Sequence, residues 1–426
     1  MGALGLIVIA MFVVLALLRV PVWIALLAPA LLYSFAEGQP VIFSATNMMR
    51  ELDSFTFLAI PLFIYVGSLM NHGDITENIF NFADSLVGHY QGGLAQVNIV
   101  TSLIFAGISG SALADIGGVG RVLIKSMVDA DYDADFSAAL TSASATVGPI
   151  FPPSIPLIIF GIIAEVSVLS LLLAGALPAL LTVAALMVGT VYIAKARDLP
   201  SNDKRASLGN VARTFVYALP ALLTPVVLVA GMLAGVFSPT EAAGVTVAYI
   251  LLVNTLVYRI VDFRYVWDAA VETAKTSGSI VIIVAAASVF SFVLSVEGVD
   301  TMFADAMFSI SSNKIVLLLL VNAVLLFIGL FLDPIAALVM MTPIVEPTLA
   351  QAGVDPIHIG VIMVFNLMLG LLTPPLGLSV YLSAEISGVP VADVFSRTKL
   401  YYVILIVALL IITYVPQITL FIPRTF

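Results

Sequence analysis

GISGSALAD (107–115) and GPIFPPSIP (148–156) interrupt one long apolar region of the chain, and GLFLDPIAAL (329–338) and GLLTPPLGL (370–378) interrupt another. The second set copies the first. Gly107 and Gly329, Asp133 and Asp355, Gly148 and Gly370, and the pairs Pro152-Pro153 and Pro374-Pro375 all stand 222 residues apart (329 − 107), with no gap. Irregular backbone at membrane depth survives only where it lines a cavity or is buried in protein. Broken apolar segments at matching places in two halves therefore point to the substrate and ion sites of a secondary transporter.

The composition agrees. Hydrophobic residues make up 61% of the 426 residues and charged residues 10%, where a soluble domain carries about 25% charged. The unit to count is thus an apolar stretch of roughly 20 residues rather than a soluble domain. The chain has no cysteine, which excludes disulfides, thiol catalysis and thiolate metal sites. A formal charge of −10 gives no footprint for nucleic acid. The apolar N-terminus lacks a basic leading region, which argues against a removable signal peptide.

Apolar runs predict spans near 3–18, 21–35, 54–71, 168–194, 215–236, 240–258, 279–296 and 400–421. Residues 94–128 read as a re-entrant hairpin broken at Ser109-Gly110-Ser111, and 136–165 as a span broken at 148–153. A second hairpin at 314–350, broken near Asp333-Pro334, and a span at 357–387, broken at 370–375, repeat that order. Short amphipathic pieces at 74–88 and 300–311 suit helices lying along the interface. The expected fold is an all-α polytopic membrane protein with two hairpins and two broken helices. Its parts are scaffold helices at 1–53, a first repeat at 54–195, a connector at 196–214, scaffold helices at 215–278 and a second repeat at 279–426.

Lys195, Arg197, Lys204, Arg205 and Arg213 surround the connector, which the positive-inside rule places in the cytoplasm. Counting spans from there puts the loop of Arg259, Arg264 and Lys275 inside, with Arg397 and Lys399. The same count makes the two hairpins enter from opposite sides, an inverted repeat, with both chain ends periplasmic.

From the RVPVWIALL segment at Arg19 through the four breaks, the chain resembles the large membrane subunit of TRAP transporters, the tripartite ATP-independent periplasmic uptake systems of bacteria. The resemblance covers essentially the whole chain. It implies an elevator-type, sodium-driven importer in the inner membrane, moving small organic acids of the C4-dicarboxylate or sialic acid class. It also implies a small membrane subunit and a periplasmic binding protein as partners.

A helix broken at the midplane leaves bare carbonyls at one half-helix end and bare N–H groups at the other, suiting a cation and a carboxylate respectively. At least two Na⁺ sites, one per repeat, are therefore expected. The first-repeat candidates are Ser109, Ser111, Val147, Gly148, Phe151 and Pro152, and the second-repeat candidates Gly329, Asp333, Gly370 and Thr373. Ser111, Ser144, Ser154, Asn366 and Thr373 are candidate substrate contacts, and Ser144, with Ser142 and Thr146, could equally pack helices as small residues do. Ser111 and Asp333 also read as helix N-caps, with Pro334 at the first helical position. The proline pairs could merely kink helices.

Other features read as plain. Asp129, Asp131, Asp133 and Asp135 fit a solvated connector, Arg121 and Lys125 fit snorkelling to the cytoplasmic surface, and Gly117-Gly118-Val119-Gly120 fits close helix packing. His72, His89 and His358 form no relay. Gly107-Ile108-Ser109-Gly110 matches the short GxSG motif of intramembrane serine proteases, so a protease using Ser109 is the rival from another class; a passive channel or scaffold subunit is a third reading.

Overall fold

The computed structural model describes residues 3–18, 20–71, 73–197, 199–200 and 205–425. Arg19, His72 and Lys204 lie outside the described residues. Every regular element among the described residues is a helix.

The first half opens with α1 (Ala3–Leu17), α2 (Val22–Ala36), amphipathic α3 (Val41–Leu52), α4 (Ala59–Met70) and amphipathic α5 (Gly73–Val87). The first hairpin follows. Its inward arm is α6 (Gly93–Ser109), and its return arm is α7 (Ala112–Asp115), a π-turn at Ile116–Gly120 and α8 (Arg121–Asp129). The broken helix comes next as α9 (Ala134–Ala145) and α10 (Ile155–Ile163), then α11 (Val168–Arg197). The second half runs α12 (Leu208–Leu233), α13 (Pro239–Val253), α14 (Phe263–Val296) and α15 (Val299–Ile310). Its hairpin is α16 (Lys314–Gly329) with α17 (Pro334–Gln351), and its broken helix is α18 (Pro356–Leu369) with α19 (Leu378–Ser387). Last come α20 (Val391–Tyr414) and α21 (Gln417–Thr425).

Among the described residues, five helical stretches are long and apolar enough to cross a bilayer: α11, α12, α13 with its π-turn extension to Tyr258, α14 and α20. The hairpin arms are short because their ends are written into the sequence. Gly110 ends α6 in the left-handed region at φ +61. A Cβ there would also lie 2.5 Å from the Pro153 carbonyl oxygen, so only glycine both makes the turn and lets the two breaks touch.

Several boundaries differ from those read in the sequence. The supposed loop holding Arg264 and Lys275 is the start of α14, which Asp262 caps by accepting the Tyr265 N–H at 2.6 Å. With no proline in α14, the helix runs 34 residues, about 51 Å at the α-helical rise and well beyond the roughly 30 Å hydrocarbon core. The division drawn at 278/279 thus falls inside one helix. The connector is shorter than 196–214, since α11 reaches Arg197 and α12 starts at Leu208. The last span starts earlier, at Val391, and stops at Tyr414, ahead of Pro416. The acidic turn is not simply solvated: Arg397 donates to Asp135 at 2.6 Å and lies 3.7 Å from Asp133.

Buried polar pairs pin the broken elements. Between α6 and α9, Asn98 donates to Thr141 at 2.7 Å and accepts from Ser144 at 2.8 Å, while Ser102 and Ser144 share a bond at 2.9 Å. Between α16 and α18, Asn366 donates to the side chain and carbonyl of Asn322 at 2.7 and 3.0 Å. Ser142 and Ser383, at 2.7 Å, join α9 to α19 and so tie the two broken helices to each other. In an apolar surround, each of these groups would be costly to leave unpaired.

The breaks also meet directly. A Cβ on Gly370 would stand 2.3 Å from the Gly329 carbonyl oxygen. Gly370→Ala should therefore cost about 1–3 kcal/mol of stability. Gly278→Ala, in α14 with nothing within 4 Å, should gain up to about 1 kcal/mol from helix propensity. Thermal unfolding of the two variants in detergent should shift in opposite directions; equal shifts would contradict the contact between the breaks.

Candidate functional site

Both hairpin tips face one cavity of about 760 Å³. Ser109 through Ala114, Gly117 and Arg121 line it from the first hairpin, and Asp333, Pro334 and Ile335 from the second. Pro149, Ile155 and Pro156 come from the first break, and Met368 and Leu371 from the edge of the second. Gly67 and Ser68 of α4, Asn71 just after it, and Glu272, Thr276 and Ser279 of α14 also line it.

The first hairpin tip is built on a capped restart. Ser111 is extended and accepts the Ala114 N–H, and one turn on, Asp115 accepts a hydrogen bond from the Ser109 hydroxyl through Oδ1. Asp115 is 1% exposed, and its Oδ2 has no hydrogen-bond partner. That oxygen faces bare backbone: a Cβ on Gly148 would lie 2.6 Å from it and 3.4 Å from the Ser111 carbonyl carbon. Nearby, no backbone N–H bonds to the carbonyls of Gly148, Phe151 or Pro152. The Val147 carbonyl differs, since it already accepts from Ile150 and Phe151, both at 3.0 Å. The arrangement offers a carboxylate oxygen, a hydroxyl and uncovered carbonyls around a glycine, an all-oxygen environment suited to a bare Na⁺.

In the second half Asp333 is the N-cap of α17, its Oδ1 accepting from Ile335 at 3.0 Å and Ala336 at 3.3 Å. It also lines the cavity. Cap and site are thus the same residue. The Gly329 carbonyl, pressed on Gly370, takes no hydrogen bond from the backbone. Thr373 is turned back on its own break, its hydroxyl donating to Leu369 at 2.8 Å and its N–H to Gly370 at 3.1 Å. Pro152-Pro153 and Pro374-Pro375 are both cis.

Of the substrate candidates, only Ser111 stands in the cavity wall. Ser144 and Asn366 are the buried pins described above. Ser154 caps α10, accepting the Leu157 N–H and donating to the Pro149 carbonyl. Thr373 lies outside the wall, and Ser142 and Thr146 are spent on hydrogen bonds to Ser383 and to the Ala143 carbonyl. A polar side chain at membrane depth has the same sequence signature whether it pins helices or meets a ligand.

Two residues enter the site that the sequence reading left out. Asp115 stood within the quoted hairpin motif, and the cost of a carboxylate at membrane depth applies to it as much as to Asp333. Arg121, expected to snorkel to the cytoplasmic surface, is exposed and also lines the cavity. Gly118 and Gly120 do pack closely, against Asn71 and Thr141, while Gly117 opens to the cavity. Among the described residues, no histidine hydrogen-bonds to Ser109, whose hydroxyl is engaged by Asp115. Both ring nitrogens of His358 are engaged elsewhere, by Thr419 at 2.7 Å and the Thr413 carbonyl at 3.1 Å.

Residues 9–418 match the family described as the tripartite ATP-independent periplasmic transporter, DctM component. This chain belongs to that family of TRAP transporter large permeases. The sialic acid TRAP transporter large permease SiaM of Vibrio cholerae is 40% identical over 410 residues, covering 95% of each chain. The C4-dicarboxylate TRAP transporter large permease DctM of Pseudomonas aeruginosa is 33% identical over 380 residues, 89% of each. The crystal structure of the Alcanivorax borkumensis YdaH transporter, described as having an unusual topology, shares the fold at a TM-score of 0.58, with 13% identity over 88% of each chain. The large permease is therefore a multi-pass membrane protein and not an enzyme, which removes the protease reading.

If Ser144 is a pin, Ser144→Ala should lower stability by about 1–3 kcal/mol and leave ligand affinity unchanged. Thermal unfolding with and without ligand checks this. Unchanged stability with lost ligand stabilisation would return Ser144 to the site.

Proposed function

We propose that this permease is the transport subunit of a sodium-driven importer of small organic acid anions of the sialic acid or C4-dicarboxylate class. The observation that carries the reading is the single cavity on which both hairpin tips converge, with Arg121 and Asp333 in its wall and the buried Asp115 behind it. Arg121 supplies the cation for a substrate carboxylate, helped by N–H groups at the hairpin tips. Asp115 with the Gly148 break, and Asp333 with the Gly329–Gly370 contact, are the two coupling sites. Na⁺ at both offsets the buried carboxylates, so an anion enters a site that the cations have made less negative. Coupling is the consequence.

The family description names a tripartite, ATP-independent, periplasmic system. In keeping with it, we read a small membrane subunit and a periplasmic binding protein as partners and the bacterial inner membrane as the location. Movement is of the elevator type: the hairpins and broken helices, tied together through Ser142 and Ser383, travel as one body against α4 and α14. Arg264 and Lys275 mark the cytoplasmic end of α14 by the positive-inside rule, and both chain ends are periplasmic. Glu272, near that end of α14, lines the cavity, so this conformation is the one that releases substrate inward.

Proteoliposome uptake with both partners added should require external Na⁺ and rise more steeply than first order in it. Asp115→Asn and Asp333→Asn should each raise the half-saturating Na⁺ concentration several-fold, and the latter should keep its cap, since Asn and Asp cap about equally well. Undiminished uptake in potassium buffer would contradict sodium coupling.

A further inference from the structure

The cavity carries charges of both signs in its wall. Arg121 stands at the start of α8 in the first hairpin, and Glu272 stands on α14. Glu272, Thr276 and Ser279 follow at four- and three-residue steps, so they share one face of α14. Ile280 and Ile283 continue that face as an apolar wall. Neither Arg121 nor Glu272 takes part in any of the four ion pairs found among the described residues. Both charges are therefore available to whatever enters the cavity. Arg121 is the one cationic side chain lining it, and Glu272 and Asp333 are its two carboxylates.

We propose that Glu272 is a specificity-determining residue that sorts acids by charge. A ligand with one carboxylate places it at Arg121 and turns hydroxyl or amide groups to Glu272, Thr276 and Ser279, which accept or donate hydrogen bonds. A ligand with a second carboxylate must bring it against Glu272. No cation in the wall compensates there, and opposing like charges in a recess are strongly unfavourable. The size of the cavity agrees, since about 760 Å³ lies in the ~300–1,000 Å³ range of sites for drug-sized ligands. The substrate class is thus a hydroxylated monocarboxylate, and the C4-dicarboxylates are selected against by this chain itself, independently of any binding protein. The inference rests on the transporter reading of the cavity.

The test is a thermal-shift titration of the permease with its small subunit in lipid nanodiscs, in sodium buffer without binding protein. The probes are a sialic acid, with one carboxylate, and succinate, with two. Wild type should be stabilised by the sialic acid and not by succinate. Glu272→Gln keeps the side-chain shape and should improve the apparent affinity for succinate by about tenfold relative to the sialic acid. Glu272→Asp, keeping the charge, should still exclude succinate, and Arg121→Gln should abolish the response to the sialic acid. Equal responses of wild type to the two acids, or a selectivity unchanged in Glu272→Gln, would overturn charge sorting while leaving the cavity as the binding site. No response to either acid in wild type would overturn both.

Discussion

A helix interrupted inside a bilayer must find partners for backbone groups that water cannot reach, and that constraint organises the whole chain. Ser111, Ser154 and Asp333 take the N–H groups at three restarts. Glycines let the breaks press on one another, Gly110 on Pro153 and Gly329 on Gly370. What these devices leave uncovered is oxygen: carbonyls at the breaks and one oxygen of Asp115. A cation is what such a remainder lacks. On the proposed sodium coupling, folding the broken helices and binding the ion are two parts of one electrostatic problem.

The two halves solve it with different residues at matching positions. Ser111 corresponds to Asp333 and Asp115 to Ala337 at the common offset. Each hairpin thus keeps one carboxylate close to its tip, the first buried a turn beyond it and the second at the cap. Ser144 corresponds to Asn366, and both are pinned to an asparagine on the facing hairpin arm. The mechanical role is retained where the side chain is not. Such pins favour a body that moves as a unit, since a loosened break would expose unpaired polar groups to an apolar surround.

Much of this was legible in the sequence because breakers are local. The 222-residue offset, the two hairpins and the proline pairs are visible without any knowledge of packing, and the broken elements stop and restart at Gly110, Ser111, Ser154 and Asp333. The span of α14 was not legible, because its charged first turns look like a loop until Asp262 is seen to cap them. That Arg121 lines the cavity depends on how far the cavity runs along the hairpin, a tertiary property. The hydrogen bonds of Ser144 and Asn366 to a facing asparagine were not legible either, because polarity at membrane depth does not reveal which neighbour uses it.

The claim that the hairpin tips form one shared, sodium-coupled site is open to a direct measurement, because the chain has no cysteine of its own. Ala114 lines the cavity and is exposed to it, so an Ala114→Cys variant would carry a single reporter there. Its rate of maleimide labelling should be measured in nanodiscs with Na⁺ or K⁺, each with and without a sialic acid. A shared site requires labelling to slow several-fold only when Na⁺ and the acid are present together. Equal rates in all four conditions, or protection by the acid in K⁺ alone, would contradict it.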